Sequence, residues 1–172
     1  MPKEVVLLAD CAVNIDPTAE QLAEIALQAA TTAQALGVEP RVAMLSFSNF
    51  GSTNHPHARK VQQAVEIVKS RAPELEIEGE MQLATARHSG LRKELFPFSS
   101  LTDDANVLVF PDLQSGNLTM QSLHYMAEAV PIGPLLMGTR LPVHILQYGV
   151  TVQGVVNLIT VGAVQGSFHP SV

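Results

Sequence analysis

The sequence predicts an α/β domain, a three-layer α/β/α sandwich around a largely parallel sheet. Two observations carry that prediction. Short runs rich in Val, Leu and Ala alternate with longer stretches of helical spacing, and most of the short runs are apolar on both faces, as strands are when helices cover both sides of a sheet. With 172 residues, the chain can bury a sizeable core and fits one domain, so residues 1–172 are read as one unit.

The elements follow in order. "EVVLLADCAV" has the length and composition of a strand. Its apolar run is interrupted by Asp10 and is too short for a signal peptide or a membrane span. "IDPTAEQLAEIALQAATTAQALG" follows with helical spacing: Leu22, Ile25, Ala29, Ala33 and Leu36 share one face. Asp16 is placed as its N-cap with Pro17 at the first helical position, and Gly37 stands where a C-terminal glycine belongs. "RVAMLSFS" reads as a second buried strand, and "HARKVQQAVEIVKSRAP" as a helix with Val61, Ala64, Val65 and Val68 inward and Pro73 past its end.

"LEIEGEMQ" alternates like a strand with one wet side, which puts Glu74, Glu76, Glu78 and Glu80 on a solvated edge or face. "ATARHSGLRKELF" is a weaker helix, broken by Gly90, and "ANVLVFPD" is another buried strand. A helix over residues 115–128, the short strands "GPLLM" and "VHIL", and a closing helix complete the chain.

Composition narrows the function classes. Lys and Arg number 10 against 16 Asp and Glu, a net charge of −6, and no basic run is long enough to follow a phosphate backbone. Nucleic acid is therefore excluded as a partner, and the composition is not that of a membrane protein. Cys11 is the single cysteine, so no internal disulfide forms, and a cytoplasmic location is expected.

Charge is distributed unevenly. Beyond Asp104 the only charged residues are Asp112, Glu128 and Arg140, and residues 141–172 carry none. In the closing helix Val152, Val155, Val156, Ile159 and Ala163 make one apolar face, Val150, Leu158, Val161 and Val164 lie around the sides, and Gln153, Asn157 and Thr160 form a narrow polar stripe. Such a helix needs cover on more than one side. Segment 141–172 is accordingly expected to be an interface, with Tyr148, Val152, Val155, Val156 and Ile159 as contact residues of a homo-oligomer, a dimer or higher.

Two loops could carry chemistry. "LSFSNFGSTNHPHARK" places Ser46, Ser48, Asn49, Gly51, Ser52, Thr53 and Asn54 between a strand and a helix start, where small hydroxyl residues can present backbone N–H groups to a phosphate or carboxylate. The glycine and lysine spacing is not that of a Walker loop, and an ordinary capped loop is the competing reading. His55 and His57 lack the converging ligands a zinc site requires, so they are read as loop polarity or capping and no metal is expected. "VFPDLQSGN" ends a buried strand with Asp112, Ser115, Gly116 and Asn117, at the sheet edge where ligands of open α/β sheets sit; a turn with Ser115 as N-cap is the alternative.

Taken together and in order, "ADCAVNIDPTAEQLAEIA", "PRVAMLSFS", "FPDLQSGN", "IGPLLMG" and "LPVHILQYG" resemble the second half of the phosphate acetyltransferase family. "SNFGS" and "ELFPFSSL" look most like the version of that domain at the C-terminus of bacterial NADP-dependent malic enzymes. The resemblance implies a cleft between two α/β/α domains, homodimers, and acetyl transfer between coenzyme A and phosphate. An aspartate there serves as base toward the thiol, while serine and arginine stabilise the acyl phosphate. It also implies that this chain begins where the family's second domain begins.

The chain departs from that pattern where charge is needed. Active members carry Ser-Arg-Gly-Cys-Ser-x-x-Asp, and the matching residues here are Gln147, Tyr148, Gly149, Val150, Thr151, Val152, Gln153 and Gly154. A family aspartate becomes Ala84, basic residues become Gln121 and Tyr125, and a lysine becomes Leu141. Tyr148 cannot supply an arginine's paired charged hydrogen bonds, and Gly154 cannot take a proton.

No catalytic residue is therefore assigned. The expectation is a non-catalytic domain that senses acetyl-CoA, assembles subunits, or does both, in a malic-enzyme-type protein with a fused catalytic domain. A phosphate acetyltransferase fragment and a truncated domain with an engineered self-association surface remain as alternatives. No tightly bound cofactor is implied, and acetyl-CoA is the ligand the resemblance brings. Ser46, Ser48, Gly51, Ser52, Thr53, Asp112, Asn117 and Gly149 are the cleft candidates.

Overall fold

The computed structural model describes residues 4–168. The parallel sheet runs in the order β1 (Leu7–Ala9), β4 (Val107–Val109), β2 (Arg41–Leu45), β3 (Glu76–Met81). The pleat sends Val42, Met44, Val107 and Val109 to one face, where α1 (Ala19–Ala35) and α2 (Pro56–Arg71) pack, and Ala43, Leu45, Leu108 and Phe110 to the other. That second face is covered by α3 (Leu83–Arg87), with Ala86 buried, and by Leu101 and Ala105 ahead of β4. The chain thus has the α/β layering and parallel sheet read from its sequence.

α1 starts later than expected. Thr18, rather than Asp16, is its N-cap: Gln21 N–H donates to Thr18 Oγ1 at 3.3 Å and Thr18 N–H to Gln21 Oε1 at 2.8 Å. This reciprocal capping box satisfies two helix-end donors, which Asp16 and Pro17 cannot do together. At the other end Gly37 has φ +74°, and Val38 N–H reaches back to the Ala33 carbonyl at 2.9 Å, a Schellman closure.

The carboxylates of β3 are not on a solvated face. Glu78 and Glu80 are buried, and each carboxylate from Glu76 to Glu80 ties a covering loop to the sheet. Glu76 accepts from Thr102, Glu78 from Ser100 and Lys69, and Glu80 from Gly51. The alternation was legible, but a strand face covered by loops takes polar residues where one covered by a helix takes apolar ones.

The helix expected over 84–96 is two, α3 and α4 (Ser89–Leu95). The break is at His88, whose Nδ1 caps α4 by accepting from Leu91 N–H at 3.1 Å, while Gly90 lies inside α4. Holding the pair is Arg92, fully buried, which donates to the backbone carbonyls of Thr85, Ala86, Leu101 and Asp103.

β5 (Leu135–Leu136) and β6 (Val143–His144) do not join the parallel sheet; they form a separate antiparallel ribbon. Above it lies α6 (Val152–Ser167), begun by Thr151, whose Oγ1 accepts from Gly154 N–H at 3.1 Å. α6 turns Leu158 inward, with Val155 and Val161 half-buried. Val152 is 83% exposed and Ile159 66%, with Val156 also outward. Within the chain, the inward face is therefore centred on Leu158, while Val152, Val156 and Ile159 of the valine face point outward.

Candidate functional site

Loops from three strands rise at the C-terminal edge of the parallel sheet. The first follows β1. Asp10 accepts the N–H groups of Ala12 (2.7 Å), Val13 (3.0 Å) and Asn14 (2.7 Å), and also the Asn14 side-chain amide (2.7 Å). Burial works against the charged form of Asp10, but these bonds outweigh it and hold the carboxyl below its usual range. Next to it, burial pushes the Cys11 thiol up to about 12, with the Asp10 charge adding to the effect. Cys11 is thus a protonated thiol and not a nucleophile.

The second loop follows β2 and holds the Ser/Thr/Asn candidates. It is an internally bonded unit. Ser48 N–H donates to Ser46 Oγ, Asn49 N–H to Ser52 Oγ, Ser52 N–H to the Asn49 carbonyl, and Thr53 N–H to Ser48 Oγ. Phe50 N–H and Gly51 N–H go to Glu80. The N–H groups from Ser48 to Thr53 are therefore used within the fold, as in the ordinary capped loop that the sequence also allowed, rather than facing a ligand. What the loop offers outward is side chains: Ser52, Thr53 and Asn54 are exposed, while Ser48 is buried with its Oγ 3.1 Å from Ser52 Oγ. His55 caps α2 by accepting from His57 N–H.

The third loop follows β4 and leads into α5 (Leu113–Met126). Asp112, rather than Ser115, is the N-cap and accepts from Ser115 N–H at 2.8 Å; its longer side chain reaches the N3 amide from the end of the strand. Asn117 Nδ2 donates to the Cys11 carbonyl at 3.1 Å, so α5 is fastened to the first loop. Gly116 is buried there, and the position takes glycine because a Cβ would stand 2.2 Å from the Asp10 carbonyl oxygen. Lys60 of α2 closes the edge with bonds to Asp16 Oδ1 (2.7 Å) and the Pro111 carbonyl (3.1 Å); that contact with Lys60 also lowers the Asp16 pKa. An open groove of about 1010 Å³ lies against this face, lined by Ile15, Asp112, Leu113, Gln114, Ser115 and Asn117 among others.

The candidates thus fall into separate groups. Ser46, Ser48, Gly51, Ser52 and Thr53 form one bonded loop, and Asp112 and Asn117 line the groove. No hydrogen bond joins these two groups among the described residues. Ala84 is exposed on α3, two residues past Gln82, which bonds to the second loop through Asn49 and Phe47. Gln147, Tyr148 and Gly149 form an exposed turn before α6, closed by Val150 N–H to the Gln147 carbonyl, and Gly154 lies in the first turn of that helix. The sequence reading gave no site role to Asp10 or Lys60, put Glu80 on a solvated face, and named Gly116 only as a member of the strand-end loop. Asp10, breaking an apolar run at a strand end, was the one that could have been read as a site element.

Comparison with known proteins places this architecture. Residues 1–163 match the family model for phosphate acetyl/butaryl transferase. The chain is 41% identical over 165 residues to a phosphate acetyltransferase of Buchnera aphidicola, covering 96% of this chain and 23% of that protein. It is 42% identical over 171 residues to an NADP-dependent malic enzyme of Escherichia coli, covering 99% of this chain and 22% of that one. Its structure matches the EutD phosphotransacetylase from Staphylococcus aureus with a TM-score of 0.91 at 37% identity, over 96% of this chain and 52% of the other. The chain spans about a quarter of the curated relatives' length. It belongs to the phosphate acetyl/butaryl transferase family.

Proposed function

We propose that this chain is a non-catalytic phosphotransacetylase-like domain that serves as an acetyl-CoA-sensing and oligomerisation module of a malic-enzyme-type protein. The observation that carries the reading is the turn before α6. Moving an acetyl group between a thiol and phosphate requires a base for the thiol proton and positive charge for the acyl-phosphate oxygens. At the positions matching the family's catalytic segment the chain offers Gln147, Tyr148 and Gly154, with no Asp, Glu, Lys or Arg from residue 141 onward. The strand-end loops, by contrast, keep their caps and closures, which supports a retained frame beside a segment that has lost its charges.

The oligomerisation role is supported by the outward face of α6. Val152, Val156 and Ile159 are exposed there, with Tyr148 fully exposed in the preceding turn. Burying one large aliphatic side chain contributes roughly 1.5–3 kcal/mol, enough for several together to drive association. The partner is a second copy of the chain in a cytoplasmic homo-oligomer, a dimer or higher, carried beside a catalytic domain.

Calorimetry with acetyl-CoA tests the sensor role: saturable binding is expected, and no heat at millimolar ligand would sink it. Light scattering tests the assembly. The mass should exceed that of one chain and fall toward it in Ile159→Glu; a monomer at high concentration would end that part of the reading. Turnover of acetyl phosphate and coenzyme A above background would instead make the chain a transferase.

A further inference from the structure

Glu80 is buried to 0% exposure. No ion pair reaches it among the described residues, and Oε2 is enclosed without a hydrogen-bond partner. Burying a carboxyl group with an unused oxygen is costly, so the one bond it does make has to be set against that cost. That bond and one to the Glu80 main-chain carbonyl go to a single turn. The Glu80 carbonyl accepts Phe50 N–H at 2.8 Å and Glu80 Oε1 accepts Gly51 N–H at 2.9 Å.

That turn is unusual in its backbone. Phe50 has φ +45° and Gly51 φ +83°, two successive residues in the left-handed region. Glycine takes this conformation freely, but a phenylalanine does so only where its surroundings over-determine it. Here the ring side is held by Phe96 and Phe98, each with its ring centroid 5.0 Å from that of Phe50, and the backbone side by Glu80. The residue following Glu80 adds a bond from Ser46 N–H to the Met81 carbonyl at 2.9 Å. The reversal at Phe50 and Gly51 is what brings Ser52 back over Ser48 and turns Thr53 outward.

We propose that Glu80 is a positioning residue: by accepting from Phe50 and Gly51 it fixes the conformation of loop 46–53, and through that loop it sets affinity for the acyl-CoA ligand. The second half of this statement rests on the sensor reading above; the first does not. Glu80 touches no ligand on this account and acts through Ser48, Ser52 and Thr53.

Amide hydrogen exchange by NMR on the full chain provides the test, with Glu80→Gln keeping an acceptor oxygen, Glu80→Ala removing it, and Glu80→Met removing it while filling the space should the alanine variant fail to fold. The Gly51 amide should exchange on the order of tenfold faster in the Ala or Met variant and near the parent rate in Gln, with β2 and α2 amides unchanged. An unchanged Gly51 rate, or equal acceleration across the whole sheet, overturns the positioning role. In calorimetry with acetyl-CoA, dissociation constants should rise on the order of tenfold in Ala or Met and recover in Gln; unchanged affinity overturns the link to the ligand. If the parent chain binds no acetyl-CoA, the sensor reading fails and takes the ligand link with it, while the exchange result alone still decides the role of Glu80 in the loop.

Discussion

Gly116→Ala isolates the contact that seats α5 on the first strand-end loop. The added Cβ would lie 2.2 Å from the Asp10 carbonyl oxygen, 3.2 Å from its carbon and 3.4 Å from Cys11 Cα. All of these are backbone atoms, so no side-chain rotation relieves the contact, and the helix start has to move away by about 1 Å. Overpacking of this kind costs about 1–3 kcal/mol, and a backbone obstacle puts it at the upper end. Alanine in place of glycine returns about 1 kcal/mol of helix propensity, leaving a net loss of about 2 kcal/mol, or roughly 4–8 °C in melting temperature for a domain of this size. Gly90→Ala is the control, since a Cβ there meets only the His88 ring at 3.5 Å; with no clash it should raise stability by about 0.5–1 kcal/mol. The assay is thermal unfolding by circular dichroism. If both alanines moved the melting temperature in the same direction, the close approach of α5 to Asp10 would be refuted.

Asp10 has a lowered pKa in the fold, so its contribution to stability is fully present above the ordinary carboxyl value of 3.8 and is lost as pH falls through the lower folded value. The melting-temperature gap between the parent chain and Asp10→Asn should thus be constant from about pH 6 to 8 and shrink below about pH 4; a gap that widens in acid would reverse the assignment. Arg92→Met strands four backbone carbonyls that the guanidinium now satisfies. It should lower stability by about 3 kcal/mol or more, seen as a fall in the urea midpoint at unchanged slope. Cys11, with its thiol at about 12, should react with a disulfide reagent at pH 8 more than about 100-fold more slowly in the native chain than in denaturant; equal rates would show a thiol that is neither buried nor shifted.

The legible parts of the sequence were those fixed by local rules. Leu22, Ile25, Ala29 and Ala33 repeat at helical spacing and are all buried, and the runs around Val42 and Val107 are apolar because both sheet faces are covered. Less legible were positions decided by what arrives from elsewhere in the chain. Glu78 and Glu80 have the alternation of a wet strand, and only the loops carrying Gly51 and Ser100, 29 and 22 residues away, make their burial tolerable. The strands "GPLLM" and "VHIL" have the composition of sheet members yet pair with each other, because pairing partners are a long-range choice that composition does not encode. In the loop after β2 the residue types needed to hold an anion and to satisfy a turn are the same, so sequence alone could not show that its N–H groups are spent internally.

This difference between scaffold and chemistry bears on how the family's site can change. Asp10, Gly116 and Asp112 hold their loops through backbone contacts and helix capping, and these work whether or not a ligand is present. Gln147 and Tyr148, which the resemblance sets opposite the family's catalytic segment, occupy an exposed turn where little in the fold depends on their side chains. Charge can be removed from such positions at almost no cost in stability, since exposed side chains contribute little. Removing it from the strand ends would cost the caps and the loop closures. On the function proposed above, such a chain loses the groups that transfer an acyl unit and keeps the frame that would recognise one, and the uncharged outward face of α6 then serves as the contact surface.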